Sequence, residues 1–306
     1  MKRTIRNIIL KFPLTREIFF IIGKRKVPLR KIDYRLKNIK YNDFENVERI
    51  DDLVISLTSY GERIQELKYV LYSLIMQSIR PLKIIVNVSY DDKDLITEEL
   101  RFFEKFNVEF YFCDDIKSFK KLIPTLGRYN DKVIVTCDDD MFYEKEWLKQ
   151  LWNKHLDTPL DIIAHNIYEI SFDHKNLLPY DSWPHSIVSK KSSYKNFLVG
   201  CGGVLYPPDC FYKDIMNEKL FRELTPFADD IWFYFMAILK GTKIGQPANP
   251  QISFHYVNPY REYGITDGKT LTKLNVGQSK NDMQLLSIIN FYFNSVENFQ
   301  NYIEKQ

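Results

Sequence analysis

Apolar positions along this chain follow two different periods. Between residues 52 and 142, short unbroken runs of β-branched and aromatic residues alternate with stretches whose apolar positions recur every three or four residues. The runs are 53–60 (LVISLTSY), 83–89 (KIIVNVS), 108–112 (VEFYF) and 132–136 (KVIVT). Their length and composition predict strands, the last with the pattern of a strand buried on both faces. The intervening stretches predict helices. Ile64, Leu67, Val70, Leu71, Leu74 and Ile75 form one clean face, with Pro81 expected to close it, and a second helix is expected over about 96–106. A third amphipathic stretch runs through Lys120, Lys121 and Arg128. Strand–helix alternation repeated four times predicts an α/β fold with a mostly parallel sheet and helices on both faces.

After residue 160 the pattern changes. Residues 161–165 (DIIAH) read as a short strand, and 166–196 are polar and aromatic with weak periodicity. A connection that long inside a compact domain is commonly functional. Residues 198–208 place Gly200, Gly202 and Gly203 beside an apolar run. Such glycines permit either a close approach to a ligand or a bulge in a strand. Residues 231–239 (IWFYFMAIL) are apolar on every side and stop at Lys240-Gly241, the pattern of a buried helix with a glycine cap. Residues 252–256 read as a strand, 264–282 as a loop, and 283–293 as a last amphipathic helix, which leaves 294–306 as a tail.

The chemistry gathers at strand ends. The fourth run stops at Asp138-Asp139-Asp140, the second at Asp91-Asp92 and the third at Asp114-Asp115; Thr58 and Ser59 close the first. In an open α/β sheet that edge is where ligands bind. Three adjacent carboxylates repel one another unless positive charge sits among them, which suggests a divalent metal with a phosphorylated ligand beyond it. The plain alternative is a solvated acidic turn. Asp229 and Asp230 stand directly before the apolar helix. An N-cap accounts for one of them, and the other is a candidate general base. No Gly-x-Gly-x-x-Gly follows the first strand and no P-loop motif occurs, which disfavours a dinucleotide oxidoreductase or a P-loop NTPase.

Charge divides the 306 residues. Residues 1–40 hold thirteen Lys or Arg against Glu17 and Asp33, so they carry +11 while the remainder carries −8. The arm's longest apolar cluster, 18–22 (IFFII), is far below the ~20 residues of a membrane span. Two readings of the arm stand side by side: an interfacial helix on anionic inner-leaflet lipid, or a helix packed on the back of the domain. Four cysteines without paired spacing and five scattered His predict a reduced, cytoplasmic protein without a zinc site. The acidic body carries no nucleic-acid recognition motif.

Residues 54–63 (VISLTSYGER), 77–91 (QSIRPLKIIVNVSYD), 133–141 (VIVTCDDDM), 202–208 (GGVLYPP) and 228–233 (ADDIWF) occur in this order. Together they resemble bacterial GT-A-fold glycosyltransferases of capsule and lipopolysaccharide assembly, an inverting, family-2-like type. The likeness spans about 52–293. It implies a metal-dependent transferase that moves one sugar from a nucleotide-sugar, with uridine the default base, to a hydroxyl of a glycan or lipid-linked glycan. The rival from another class is a non-catalytic nucleotide-sugar or glycan-binding protein on the same fold. By the resemblance, Thr58, Ser59, Tyr60 and Arg63 frame the nucleoside and Asp91 faces the base. Asp138 and Asp139 bind the donor, with Gly202 and Gly203 nearby. Asp140, with Asp138 and His255, holds Mn²⁺ or Mg²⁺. The acidic pair usually reads Glu-Asp and here is Asp229-Asp230, which gives Asp230 the role of base. The Gln-x-x-Arg-Trp signature of processive synthases is absent, which favours single addition. The chain then divides into a basic arm (1–50), a donor half (51–165), an acceptor and catalytic half (166–293) and a tail (294–306). Aromatics in the long connection, such as Tyr168, Phe172 and Trp183, are candidates to stack on acceptor sugars.

Overall fold

The computed structural model describes residues 27–40, 44, 46–185, 187–189, 191–250, 254–258 and 280–305. The apolar clusters of the basic arm lie outside the described residues, as do 264–279 of the expected late loop. The described part of the arm holds helix α1 (Leu29–Leu36), with Ile32 buried. Asp33 accepts a hydrogen bond from the Tyr69 hydroxyl at 3.2 Å, which fixes α1 against the domain.

The first strand starts earlier than its apolar run. Strand β1 (Arg49–Thr58) begins with solvent-facing residues and becomes fully buried from Leu53. A 3-10 turn (Gly61–Glu66) leads into α2 (Leu67–Ile75), whose Leu67, Val70, Leu71 and Leu74 are buried. Strand β2 (Arg80–Ser89) follows. Pro81 therefore does not close the helix, which ends at Ile75; it opens a strand, where a missing N–H is tolerated. The helix expected near 96–106 is α3 (Glu98–Arg101) continued by a 3-10 turn that ends at Asn107, in the left-handed region with φ 63°. Then come β3 (Val108–Cys113), α4 (Ile123–Arg128) and β4 (Val133–Thr136).

After the acidic triplet the chain forms β5 (Met141–Tyr143) and only then α5 (Trp147–Asp157), so Glu144 and Glu146 precede that helix. Strand β6 (Ile162–Glu169) runs past the predicted limit, and the long connection contains a small hairpin, β7 (Phe172–Asp173) with β8 (Asn176–Leu177). Strand β9 (Asn196–Tyr206) is followed by α6 (Glu218–Leu224), α7 (Asp229–Lys240), β10 (Ile244–Gly245) and β11 (Phe254–Tyr256). Helix α7 ends at Gly241, with φ 90°, as its sequence predicted. Helix α8 (Lys280–Phe293) takes in 280–282 of the expected loop. The tail is ordered as α9 (Val296–Glu304): the Ser295 hydroxyl caps it by accepting from the Asn298 N–H, and Phe299 and Ile303 are buried.

Seven strands form one sheet in the order β10-β6-β9-β4-β1-β2-β3. Every strand in it but β9 runs the same way. Alternation along each strand sorts side chains onto two cores. Val133 and Val135 of β4 face one core with α2 and α5, whereas Ile134 faces the other with α7, α8 and α9. The protein is thus an α/β fold with a mostly parallel sheet between helices. The order reverses at β1, with β2 and β3 on one side and β4 on the other, and the carboxyl ends of strands at such a reversal are where the crevice of an open α/β sheet takes its ligand. Among the described residues no helix is long and apolar enough to cross a membrane.

Candidate active site

The acidic triplet leaves β4 at this crevice, and its three carboxylates go to different places. Asp139 turns into the protein. It is buried and accepts from the Ser59 hydroxyl at 2.6 Å and from the Arg63 guanidinium. Asp140 Oδ2 lies 2.8 Å from Arg63 Nη2, and its carbonyl accepts from the Val257 N–H at 2.8 Å. Asp138 keeps a solvent-facing edge; its Oδ1 lies 2.8 Å from Lys121 Nζ, and its N–H donates to the Tyr143 hydroxyl at 2.8 Å. One guanidinium therefore ties the loop after β1 to the end of β4, and one ammonium holds the remaining carboxylate.

Lys121 reaches further. Its Nζ is also 3.4 Å from Asp229 Oδ2, at the start of α7. Neither aspartate of that helix caps it. The N-cap position is Ala228, and both carboxylates sit in the first turn, where the helix dipole favours negative charge. The capping role expected for one of them is replaced by pairing with Lys121. Asp230 Oδ2 accepts the Gly200 N–H at 3.0 Å. A Cβ at Gly200 would stand 2.8 Å from Asp230 Oδ1 and 3.0 Å from Lys121 Nζ, so a side chain there would displace one of the two charged groups.

Burial and charge set the protonation of the cluster. Burial alone would push the Asp138 carboxyl up, but the Lys121 ammonium overrides it and holds the group below the usual carboxylate range. Lys121 is itself held well above its ordinary value: burial opposes its charge, and Asp138, Asp229 and Asp230 outweigh burial. For Asp230 the balance reverses. Burial and the neighbouring Asp229 push its carboxyl up to about 7, against the pull of Lys121 and the Gly200 N–H. Arg63 is raised because Asp139 and Asp140 more than offset its burial.

The other predicted residues are distributed around this centre. Thr58 donates its hydroxyl to the Asn87 carbonyl at 2.8 Å, within the sheet. Tyr60 is exposed, with the Arg63 guanidinium 5.4 Å from its ring. Asp91 is exposed on the turn after β2, and the neighbouring Asp92 accepts from the Gly61 N–H at 3.2 Å. His255 is opposite Phe142 in the β5–β11 pair and lies 3.5 Å from Glu144 Oε1. Gly202 and Gly203 are buried under Trp147. The Gly202 carbonyl accepts from the indole N–H at 2.7 Å, and a Cβ on Gly203 (φ 93°) would come within 2.8 Å of Trp147 Cε2 and Nε1. Packing thus accounts for both glycines. Trp183 is fully buried against Tyr180 and Phe197, which removes it as a sugar platform. Tyr168 and Phe172 remain half-buried.

Lys121 was not singled out for chemistry by its sequence, and neither was the polar mount beneath it. Ser56, Asn87 and Thr125 are fully buried and hydrogen-bonded to one another. A Ser and an Asn interrupting otherwise apolar strands was the signal available.

Carboxylate oxygens suit a hard divalent cation, and Asp138 and Asp140 leave the end of β4 together, the first paired with Lys121 and the second with Arg63. The residues fit such an ion in kind. Among the described residues no three acidic, His or Cys side chains form a ready-made cage, so the ligand and water would complete the coordination.

No protein-family model matches the chain, and no curated protein matches it in sequence. Several solved structures are similar to it. Residues 1–349 of Staphylococcus aureus TarS share 15% identity over 80% of this chain and 72% of that chain, with a TM-score of 0.45. The same protein in complex with UDP-GlcNAc gives 15% identity over 80% and 73%, with a TM-score of 0.44. A 4-diphosphocytidyl-2C-methyl-D-erythritol synthase from Anaerococcus prevotii gives 15% over 73% and 97%, with a TM-score of 0.43.

Proposed function

We propose that the protein is a GT-A-type glycosyltransferase that moves one sugar from a nucleotide-sugar, with uridine the expected base, to a hydroxyl of a glycan or lipid-linked glycan in surface polysaccharide synthesis. The observation that carries this reading is the convergence of strand-end and helix-start carboxylates on one crevice at the reversal of strand order. Such a crevice suits a nucleotide, and of the two groups of carboxylates one can hold the cation that offsets the diphosphate and the other can supply the base for the attacking hydroxyl. The ordered motifs of the sequence support the same reading.

On the donor side, Tyr60 and Arg63 frame the nucleoside, with Asp91 toward its base. Asp138 and Asp140 would hold Mn²⁺ or Mg²⁺, which when bound supplies positive charge to the diphosphate leaving group. On the acceptor side, Asp230 takes the proton of the attacking hydroxyl. It is more accessible than Asp229, and the Gly200 N–H fixes its orientation. A carboxylate poised near neutrality is well matched to that task. Attack opposite the leaving group breaks the anomeric C–O bond to the diphosphate, forms the new glycosidic bond and inverts the configuration.

The test is calorimetric titration with UDP, with and without Mn²⁺, followed by a panel of UDP-sugars assayed for turnover. Metal-dependent binding with turnover is the expected outcome. Binding without turnover for every donor and acceptor tried would assign the fold to ligand binding alone, and no binding of UDP would remove uridine as the base.

A further inference from the structure

Lys121 touches both halves of the site. It ends the 3-10 turn Lys117–Lys121, and its carbonyl is pinned by the Ser56 hydroxyl at 2.6 Å. Ser56 is itself 2.7 Å from Thr125 Oγ1, and Asn87 Nδ2 donates to both oxygens, at 3.1 and 3.0 Å. Asn87 Oδ1 is left without a partner, but the two hydroxyls and the Asn87 amide nitrogen satisfy one another and form a mount for the turn. From that mount the ammonium meets Asp138 at the end of β4 and Asp229 at the start of α7. Asp230 lies beyond ion-pair distance but within its field: a Cβ on Gly200 would stand 3.0 Å from Lys121 Nζ and 2.8 Å from Asp230 Oδ1. Strand end and helix start are far apart in sequence, and this side chain connects them.

We propose, resting on the transferase reading above, that Lys121 is the positioning residue that couples the two halves of the reaction. Its ammonium balances Asp138 on the donor side against the Asp229–Asp230 pair on the acceptor side. Charge brought to Asp138 by a donor and its cation changes how much of Lys121 is left to the base. An occupied donor site and a correctly held base then arise together. A lysine that only filled space would give no such link.

The experiment uses Lys121→Met, Lys121→Arg, Asp230→Asn and the Lys121→Met/Asp230→Asn double variant. Urea unfolding comes first. Asp230→Asn should raise the midpoint more in the Lys121→Met background than in the wild-type chain, because it removes a carboxylate left without its cation. Equal shifts in the two backgrounds would overturn the bridge. UDP titration with Mn²⁺ and turnover of the best UDP-sugar come second. Folded Lys121→Met should lose at least ~100-fold in kcat, the scale of a misplaced general base, and should also bind UDP with altered affinity; Lys121→Arg should recover part of both. A folded Lys121→Met with unchanged kcat defeats the coupling even if unfolding is non-additive. A wild-type chain that binds no nucleotide defeats the transferase reading, and the coupling with it.

Discussion

Gly203→Ala is the substitution whose cost follows most directly from geometry. Gly203 lies inside β9 at φ 93°, a backbone region that L side chains rarely adopt. Forcing alanine there costs about 1–2 kcal/mol. The new methyl would also stand within 2.8 Å of three atoms of Trp147, a side chain with no exposed surface. Trp147 cannot swing away cheaply, because its indole N–H is bonded to the Gly202 carbonyl and its ring packs on Tyr143 at 4.4 Å. Overpacking of this kind adds about 1–3 kcal/mol. The total, about 2–5 kcal/mol, is a large part of the about 5–15 kcal/mol that holds an ordinary domain together. Urea unfolding followed by tryptophan fluorescence measures it, with Gly127→Ala as the comparison. A methyl at Gly127 would meet only Met216 Cε, at an ordinary 3.5 Å, within α4, and should be neutral or gain up to about 1 kcal/mol. The damage should also reach the site, since Tyr143 holds the Asp138 N–H, so any folded Gly203→Ala should bind UDP more weakly. A Gly203→Ala protein as stable as wild type would refute the rigid wall inferred for Trp147.

Asp230 makes two linked predictions about pH. Turnover should rise with pH through about 7 as the base ionises, and Asp230→Asn should abolish both that rise and most of the activity. Its folded value lies above the unfolded one, so the native chain binds the extra proton between them. That stabilisation is complete below about pH 4 and is lost as pH rises through about 7; Asp230→Asn should flatten this decline in urea midpoints taken at pH 5 and pH 8. Arg63→Met leaves Asp139 and Asp140 without their guanidinium. It should destabilise by about 3 kcal/mol, the low end for a broken buried pair because Arg63 is partly exposed, and an unchanged midpoint would show that the pairs hold nothing together. Asp140→Asn should abolish the gain in UDP affinity on adding Mn²⁺; a gain that persists places the metal elsewhere.

Much of this architecture was written locally. Strands β1, β2 and β4 carry apolar runs because both faces of the sheet are covered there, the edge strand β3 alternates with half-exposed Glu109 and Tyr111, and α7 announces itself by an all-apolar run stopped at Gly241. What escaped was set by distant partners. Strand β6 runs on through Asn166 and Glu169 because β9 pairs with it, although its own residues lose periodicity there. Helix α9 depends on Phe299 and Ile303 finding the core beside α7 and α8, and nothing local in 294–306 states that. The carboxylates of the site were visible as a triplet and a pair. Their cations were not: Arg63 was expected at the nucleoside rather than among the acids, and Lys121 looks like an ordinary surface charge until the chain brings acids to it.

Strand β9 has a consequence for how the chain reaches this state. It lies between β4 and β6, so the apolar edge of β4 has no partner until residue 206 has been made and has turned back against the direction of its neighbours. An open edge of that kind is a template for pairing with another chain. Late, long-range closure also slows folding. During synthesis the first half can order β1, β2 and β3 but must wait with β4 exposed. The charge cluster, which draws on both sides of that gap, is therefore among the last parts of the molecule to exist.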